Sequence, residues 1–420
     1  MSIWNSIAKR LTGLSLAALG LCGSLSAGAA STEITAVFKP DPANPMQNRF
    51  VNTTPNSQFC HHFVVLCKPR NMFSLIVQGV PYEQTTGGPV EANHKNPRLG
   101  AYLKVPSEWR QISVVSDTPG SKPEIVEVRI AGIGGRHDLY ANATDLTGGI
   151  GDSALWSIGR WSNAPSPCIG SGFITGTDYF VNFMWLVPEN AGACFTQAKF
   201  AIPKFLYRYI EFAYELRTPN PLGMSTGTYR GSIPYTMGPS GDFDFGDLVL
   251  PKDNLLMLNF TLEVQHELKV EVPPGGNRVE LLPPGGWQAW VNKGRKPERL
   301  FRDQTFNISA SSRFKMRLEC DYNHGNNCAL GGASGVERVQ LNVSVSLPRG
   351  LSDASNEPVE RRPLFRDGSG TELFQPSFYV ERKPGTLHFE VDPRDVEWML
   401  DPGQSKKYSG NVTVIWDSEV

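Results

Sequence analysis

Charge of either sign is scarce and balanced in this sequence, which has 420 residues, 40 of them Lys or Arg and 41 Asp or Glu. Charged residues make up 19% of the chain and hydrophobic residues 40%, which excludes an intrinsically disordered protein. A formal net charge of -1 gives no electrostatic reason to expect a nucleic-acid partner. The chain is therefore expected to fold into a globular protein.

Long helical segments are also lacking. The 41 Gly and 32 Pro residues, together about 17% of the chain, interrupt nearly any helical window of about 15 residues. The glycines follow no three-residue period, which excludes a collagen-like chain. This composition predicts a turn-rich, all-β protein of about two to three domains.

Residues 1–29 have the pattern of a secretory signal peptide. Lys9 and Arg10 precede an apolar stretch over residues 11–25, and an A-x-A cleavage signal ends at Ala29. A transmembrane anchor is the alternative, but the stretch is too short and too rich in Gly and Ser to span about 30 Å of hydrocarbon. We expect cleavage before Ala30 and an exported mature chain.

Export into an oxidising compartment favours disulfides for the six cysteines that remain. They fall into three couples that are close in sequence, and short loops close most readily. A metal site is the alternative, with a neighbouring histidine joining the thiolates. No C-x-x-C or H-E-x-x-H spacing supports it, so we expect no metal and no other cofactor. The predicted disulfides are Cys60–Cys67, Cys168–Cys194 and Cys320–Cys328.

Alternating apolar and polar residues predict β-strands throughout the chain. The clearest run extends from Phe260 to Val272, and His266 on its apolar face is expected to be a core histidine with satisfied hydrogen bonds. Successive strand side chains point to opposite faces, so each run should bury one face. Pro and Gly clusters separate the runs, which is typical of β-sandwiches. Further runs cover residues 125–130, 206–216, 314–320, 339–347, 387–391 and 412–416.

A short pattern occurs twice, 179 residues apart. GTYRGS at 227–232 is echoed by KYSGNV at 407–412, with Tyr229 matching Tyr408 and Gly231 matching Gly410. Each copy would be a late strand of its own domain. We therefore predict an N-terminal domain over residues 30–240 and a C-terminal domain over residues 241–420.

Two short motifs of enzymes are present but lack their structural context. Gly223–Gly227 fits G-x-S-x-G, a pattern that needs a strand, a sharp turn and then a helix, whereas the segment after Ser225 is predicted to be a strand. Gly149–Ala154 fits G-x-G-x-x-A, but no apolar strand precedes it. His388 lies downstream of Ser225, yet nothing in the sequence pairs the two. We expect no enzyme.

Three stretches resemble the two-domain tip adhesins of bacterial chaperone–usher pili. FVNTTP at 50–55, followed by Cys60 and Cys67, is similar to the opening of several fimbrial adhesin domains. GTYRGS at 227–232 is similar to the last-strand signature of pilin-type domains. YSGNVTV at 408–414 repeats that signature at the C-terminal end, where pilins carry the strand that their chaperone recognises.

The resemblance implies two immunoglobulin-like β-sandwiches, of which the C-terminal one lacks a strand that another protein donates. It implies as partners a periplasmic pilus chaperone, an outer-membrane usher, the next pilus subunit and a host receptor, either a glycan or a protein. The location would be the fimbrium tip at the cell surface, reached through the periplasm. A tip subunit donates no strand, and the prolines at 40, 42 and 45 suit this role because they lack amide donors.

The candidate receptor contacts are Trp156, Arg160 and Trp161, in a loop-like stretch before Cys168. Exposed aromatic rings stack on sugar faces and Arg donates planar hydrogen bonds, although packing of both Trp residues in the core is the alternative. A second candidate is the pair His61-His62, for which a surface disulfide loop is the alternative explanation. The expected edge of the open groove in the C-terminal domain comprises Tyr408, Gly410, Val412, Val414 and Trp416.

Two other functions are also compatible with the sequence. The chain could be a structural tip or adaptor subunit without receptor binding, or a secreted carbohydrate-active enzyme on a sandwich scaffold. Receptor binding by the isolated first domain separates the adhesin from the structural subunit.

The cysteine pairing predicts that the denatured, unreduced mature protein exposes no free thiol. Titration with a thiol reagent before and after reduction measures this, and about six thiols per chain should appear only after reduction. Several reactive thiols before reduction would contradict the pairing.

Overall fold

A computed structural model of the chain describes residues 30–77, 84–118, 121–294, 296–333 and 336–418. The predicted signal peptide, residues 1–29, lies outside the described residues. Strands account for 48% of the structure and helices for 11%, so the prediction of an all-β protein is confirmed. Within the described residues, no helix has the length and apolar character needed to cross a membrane.

In the first half of the chain, the described residues form fifteen strands and four short helices, most of them around one large core. The strands are β1 (Ala30–Phe38), β2 (Val51–Asn52), β3 (Met72–Ile76), β4 (Thr85–Thr86), β5 (Gly88–Val90), β6 (Ala101–Leu103), β7 (Arg110–Ser116), β8 (Glu124–Asp138), β9 (Ile169–Thr177), β10 (Phe180–Leu186), β11 (Cys194–Thr196), β12 (Ile202–Arg217), β13 (Gly227–Thr236), β14 (Leu250–Pro251) and β15 (Leu255–Val264). The helices are α1 (Gln58–His62), α2 (Val64–Cys67), α3 (Ala143–Leu146) and α4 (Asp152–Leu155), and 3-10 turns cover Lys68–Arg70, Pro97–Leu99 and Pro221–Gly223.

One strand joins the two halves of the main sheet in this region. The strand order is β2-β1-β15-β13-β7-β8-β10-β9, and β12 pairs with the other edge of β8. The end of β7 pairs with β13 and its beginning pairs with β8, so the sheet folds over and encloses the first core. On the outer face, α1 and α2 cover a smaller cluster that contains Phe59, Phe173 and Met184.

The second half forms twelve strands and two helices. The strands are β16 (Leu268–Glu271), β17 (Leu300–Ala310), β18 (Phe314–Cys320), β19 (Tyr322–His324), β20 (Asn327–Gly332), β21 (Arg338–Ser346), β22 (Leu351–Asp353), β23 (Arg362–Pro363), β24 (Phe374–Pro376), β25 (Val380–Val391), β26 (Tyr408–Ser409) and β27 (Val412–Ser418). The helices are α5 (Gly286–Lys293) and α6 (Pro393–Met399).

Two sheets in this second half share one core. An eight-stranded sheet has the order β16-β17-β25-β21-β20-β19, with β23 on β21 and β26 on β20. A four-stranded sheet has the order β22-β24-β18-β27. Both contribute their inward residues to a second buried cluster, including Phe306 and Val343 from the first sheet and Met316 from the second. This arrangement is a β-sandwich.

The boundary between the two cores lies later in the sequence than the predicted domain boundary between residues 240 and 241. Strand β15 lies between β1 and β13, and its side chains from Leu256 to Val264 belong to the first core. The second core begins with Leu268 and Val270, which pack against its edge. The prediction placed the boundary at a Pro/Gly cluster, but that cluster is a turn within the first domain.

The long predicted strand from Phe260 to Val272 is two strands in two different sheets. Residues 265–267 form the connection between β15 and β16. His266 bridges the two domains there, with Nε2 2.9 Å from the Met224 carbonyl and Nδ1 3.2 Å from Ser311 Oγ. Burial lowers the pKa of His266, against the raising effect of its bond to the Met224 carbonyl. The histidine is satisfied, as predicted, but it lies at the junction and not in a strand.

The three predicted disulfides are present. Their Cα–Cα distances are 5.6 Å for Cys60–Cys67, 5.8 Å for Cys168–Cys194 and 5.7 Å for Cys320–Cys328, all within the ordinary range. The first ties α1 to α2, and the last ties β18 to β20.

The position of β15 predicts where the first domain can be cut. A fragment of residues 30–240 loses the strand that pairs with all of β1 and all of β13, so it should show no cooperative unfolding transition. A fragment of residues 30–267 keeps that strand and should unfold cooperatively in thermal melts followed by near-UV circular dichroism. Equal melts of the two fragments would contradict a domain boundary at residues 265–267.

Candidate functional site

The last strand of the chain has one unpaired edge. Strand β27 pairs antiparallel with β18 from Val412 opposite Cys320 to Ser418 opposite Phe314. It is the outermost strand of the four-stranded sheet, and its other edge pairs with no strand among the described residues. Along these seven residues, every second residue directs its backbone N–H and C=O groups to that side, where they have no ladder partner.

The apolar side chains of β27 are covered less than those of its neighbour. Phe314, Met316 and Leu318 on β18 are almost completely buried. Val412, Val414 and Trp416 pack against the same core but remain half-buried. The Trp416 ring contacts Phe306 and Phe314 edge-on or tilted, with centroid distances of 4.9 and 5.8 Å. This side of the second core is therefore less completely covered than its interior.

The eight-stranded sheet also has an edge strand with half-buried apolar residues. Strand β16 pairs only with β17 among the described strands. Leu268 and Val270 on it, and Val279 and Leu281 in the segment after it, pack against the second core while staying half-buried. Each sheet of the second sandwich thus ends in a strand whose apolar residues are incompletely covered.

The predicted final strand from Tyr408 to Trp416 is interrupted. Tyr408 belongs to β26, which pairs with β20 in the eight-stranded sheet, whereas Val412 begins β27 in the other sheet. Asn411 holds the crossing point through two hydrogen bonds to Asp321 Oδ2, of 2.9 Å from its backbone N–H and 2.8 Å from its side chain. Gly410 lies at this crossing, where an added Cβ would come within 3.3 Å of the Ala329 carbonyl. Only residues 412–418 form the exposed sheet edge.

Trp156 and Trp161 are core residues, which corrects their prediction as receptor contacts. Neither ring has any solvent exposure, and the two rings pack edge-on with centroids 5.3 Å apart. The stretch that contains them folds back over the sheet, because α4 and the following turns carry it across the ends of β8 and β12. Arg160, the third predicted contact, is exposed.

A buried histidine lies among these rings. The His137 ring is 4.3 Å from the Trp161 ring, and neither ring nitrogen has a hydrogen-bond partner among the described residues. Burial, together with the charge of Arg136, lowers the pKa of His137 to about 3. The imidazole is therefore neutral at physiological pH.

Half-buried cationic side chains and an exposed tyrosine gather instead where β8 ends and β12 begins. Asp138 accepts hydrogen bonds from Arg136 Nε at 2.6 Å and from Arg208 Nε at 2.5 Å. Arg208 Nη2 lies 3.4 Å from the hydroxyl of Tyr140, whose side chain is 47% exposed. Lys204 Nζ lies 4.1 Å from the centre of the same ring. We call Arg136, Arg208, Tyr140 and Lys204 the cationic patch; the two arginines share the Asp138 carboxylate, and the lysine lies over the Tyr140 ring.

A row of polar groups continues from the cationic patch across the sheet. The Tyr209 hydroxyl lies 2.8 Å from Asn182 Oδ1 and 3.1 Å from Gln58 Oε1, and it can donate to either. Burial and the Glu211 carboxylate raise the pKa of Tyr209 to about 12, with Arg136 acting in the opposite direction. The phenol is therefore a neutral donor at physiological pH.

The residues of the cationic patch were not predicted as a site. Arg136 and Asp138 lie on either side of buried His137 in β8. This alternation was the signal in the sequence for two charges on the same face at the end of the strand. The strand prediction over 206–216 did not extend back to Lys204. The pair His61-His62 is exposed on α1, beside the Cys60–Cys67 disulfide.

The G-x-S-x-G motif has no nucleophile geometry. Ser225 lies between a 3-10 turn and β13, so a strand follows it as predicted. The nearby His266 binds the Met224 carbonyl and not the serine hydroxyl.

The position of Asp152 beside Trp156 predicts that the free energy of unfolding of the protein depends on pH. Burial raises its pKa to about 6, with the Asp178 charge adding to the effect and the Trp156 indole opposing it. The indole N–H lies near the carboxylate without completing a hydrogen bond. Because the folded-state pKa is above the ordinary value, the carboxylate destabilises the fold once ionised, and this cost develops as the pH rises from about 4 to about 6. Asp152→Asn should therefore raise the free energy of unfolding at pH 7 by up to about 3 kcal/mol and much less at pH 4.

Denaturant unfolding of the two proteins at pH 4 and pH 7 measures that difference. Asp145→Asn is the matched control, because Asp145 is exposed on neighbouring α3. An equal effect of Asp152→Asn at both pH values would contradict the assignment.

Comparison with known proteins gives weak likenesses only. No protein-family model and no curated protein matches the chain. Among solved structures, it is similar to a chaperone–tip adhesin complex of CFA/I fimbriae (12% identity, 94% of this chain and 97% of that chain, TM-score 0.24). It is also similar to a mutant of CfaE, the adhesin of CFA/I enterotoxigenic E. coli (11%, 94% and 93%, TM-score 0.25).

A third similar structure is the CsuC–CsuE chaperone–tip subunit pre-assembly complex of archaic chaperone–usher Csu pili from Acinetobacter baumannii (9% identity, 93% of this chain and 98% of that chain, TM-score 0.22). TM-scores of this size describe no common arrangement of the backbone.

Proposed function

We propose that the chain is a tip adhesin of a chaperone–usher pilus. In this proposal the C-terminal domain accepts a strand from a periplasmic chaperone and later from the next pilus subunit, and the N-terminal domain binds a host receptor. The observation that carries the proposal is the unpaired edge of β27 together with its half-buried apolar residues.

Addition of a strand would supply both the backbone partners and the side-chain cover that this edge lacks. An added strand beside β27 would pair its free backbone groups, and alternate apolar side chains of the added strand would cover Val412, Val414 and Trp416. An uncovered apolar edge promotes aggregation, so a protein with this edge needs a partner from the moment it reaches the periplasm. The chaperone would meet this need first, the outer-membrane usher would receive the complex, and the next subunit would then replace the chaperone strand.

The N-terminal segment of the mature chain is poorly suited to donate a strand itself. Strand β1 is paired on one edge with β15 over all nine of its residues and on the other with β2. Prolines at 40, 42 and 45 follow it directly. A subunit that accepts a strand but donates none belongs at the fimbrium tip on the cell surface.

The cationic patch is the part of the N-terminal domain best suited to a receptor. Arg208 and Lys204 supply charged donors beside the exposed Tyr140 ring, and one carboxylate, Asp138, holds the guanidinium groups of Arg136 and Arg208 in place. Sugars present ring faces to aromatic residues and hydroxyl or carboxylate groups to guanidinium donors. A glycan, in particular an anionic one, fits this chemistry.

The edge of β27 predicts the effect of a charge in the added-strand interface. Val414→Glu should reduce capture of the chain by the chaperone of its own pilus by at least about tenfold, because a carboxylate would be buried beneath the added strand. Thr413→Glu, on the exposed face of the same strand, is the matched control and should be captured normally. Periplasmic co-purification measures capture, and thermal unfolding of each variant separates lost capture from lost folding. Normal capture of a folded Val414→Glu protein would overturn the proposal.

The cationic patch predicts receptor-binding variants. Arg208→Ala and Tyr140→Ala should each weaken binding to host cells or to an array of glycans by about fivefold or more, because each removes a donor or a stacking surface. Arg349→Ala, an exposed charge change in the C-terminal domain, should leave binding unchanged. If the chaperone captures the protein but neither the unchanged protein nor any variant binds a glycan or a host cell, the result would favour a structural tip subunit.

A further inference from the structure

Three polar residues on the outer face of the eight-stranded sheet form a hydrogen-bonded chain. Asp303 lies on β17, His388 on β25 and Ser346 on β21. Asp303 Oδ1 is 2.7 Å from His388 Nδ1, and His388 Nε2 is 2.9 Å from Ser346 Oγ. The strand register creates this arrangement, because Asp303 is directly opposite His388 and Ser346 is diagonal to it across the next pair of strands.

Neighbouring groups indicate which atom donates in each hydrogen bond between Asp303, His388 and Ser346. The backbone N–H of Arg361 donates to Ser346 Oγ at 3.0 Å, so the serine hydroxyl proton is free to point to another acceptor. The carboxylate of Asp303 accepts a hydrogen bond from Nδ1–H of His388. Nε2 of the neutral imidazole is then an acceptor, and the Ser346 hydroxyl donates to it. This order of carboxylate, imidazole and hydroxyl is the one that activates a serine as a nucleophile.

We propose that Ser346 is an activated nucleophile that accepts an acyl group from small esters. Ser346 Oγ forms a bond to the carbonyl carbon of the ester while its proton passes to His388 Nε2. The bond from that carbon to the alcohol oxygen then breaks, and the alcohol leaves with the proton from His388. Water, deprotonated by the same imidazole, attacks the acyl-serine and returns the free hydroxyl with release of the carboxylic acid. Atoms and charges balance without a cofactor.

Access to the site limits the substrate to a small acyl group on an exposed carrier. Ser346 is half-buried and the Asp303 side chain is 47% exposed, but only 10% of the His388 side chain reaches solvent. The Arg361 guanidinium lies 3.9 Å from Asp303 Oδ2, at the end of the hydrogen-bonded chain opposite Ser346, and its charge attracts the carboxylate that orients the imidazole. An acetyl ester on a sugar or a similar carrier has the required size and exposure.

This constellation is separate from the surfaces of the adhesin proposal. Asp303, His388 and Ser346 face outward from the eight-stranded sheet, whereas β27 belongs to the other sheet and the cationic patch to the other domain. The expectation that the chain is no enzyme came from two motifs without their structural context, at 223–227 and 149–154, and neither includes Ser346. Loss of Ser346 reactivity would therefore leave chaperone capture and receptor binding unchanged.

The same strand supplies a matched control. Ser344 is two residues before Ser346, is half-buried like it and is directly opposite His388 in the register, but it lacks the hydrogen bond to the imidazole that Ser346 has. A serine that merely sits on this sheet face should behave like Ser344. A serine activated by His388 should behave differently.

The experiment treats the full mature protein with p-nitrophenyl acetate and, separately, with a fluorophosphonate probe. We expect a burst of nitrophenolate of about one equivalent per chain, and acetyl or phosphonyl adducts on the peptide that contains Ser346. Ser346→Ala should abolish the burst and the adduct, and His388→Asn should slow both by about 100-fold. Ser344→Ala should react like the unchanged protein, and thermal unfolding of every variant shows whether it is folded.

Three results would overturn the proposal. These are the absence of any reaction above buffer in the unchanged protein, an undiminished burst in folded Ser346→Ala, and an adduct on another residue. An unaltered rate in folded His388→Asn would equally show that the imidazole does not activate the serine. In each case the three residues would be a cross-strand hydrogen-bonded tie without reactivity.

Discussion

A sheet edge that carries apolar side chains is stabilised by a partner strand, because water can hydrogen-bond to its backbone groups but leaves its side chains uncovered. The second domain has such an edge in β27, and the half-buried state of Val412 and Trp416 is its direct consequence. The first domain supplies the partners of its core strand β15 from its own residues. There β15 lies between β1 and β13, and its inward residues from Leu256 to Val264 are almost completely buried. The contrast between a self-sufficient domain and an incomplete edge underlies the proposal of a strand-accepting tip subunit.

Much of the fold was predictable because strand periodicity is a local property. The runs at 314–320 and 412–416 became β18 and β27, and the disulfides formed between cysteines close in sequence. Periodicity does not tell which sheet a strand joins. The alternation from Phe260 to Val272 continues through the domain junction at 265–267, so the sequence pattern concealed the boundary that the two cores reveal.

The candidate sites were harder to predict because they depend on contacts between distant parts of the chain. Trp156 and Trp161 are in a segment with little strand periodicity, yet that segment closes over the sheet and buries both rings. Asp303 and Ser346 are 85 and 42 residues from His388, and only the strand register brings the three together. The cationic patch likewise joins the end of β8 to the beginning of β12. Sequence alone placed residues 412–416 in the edge strand, since a strand depends on one segment, but it wrongly included Tyr408 and Gly410 and did not predict these assembled surfaces.

The short junction at residues 265–267 has a mechanical consequence. If a receptor holds the first domain while the pilus pulls on the second, tension enters the first domain at the C-terminal end of β15. That strand is flanked along its whole length by β1 and β13, so a pull along its axis loads both ladders of hydrogen bonds in shear and not one bond after another. Many bonds then share the load at once. A strand that completes the core of the first domain would thereby also be the anchor through which an attached cell withstands flow.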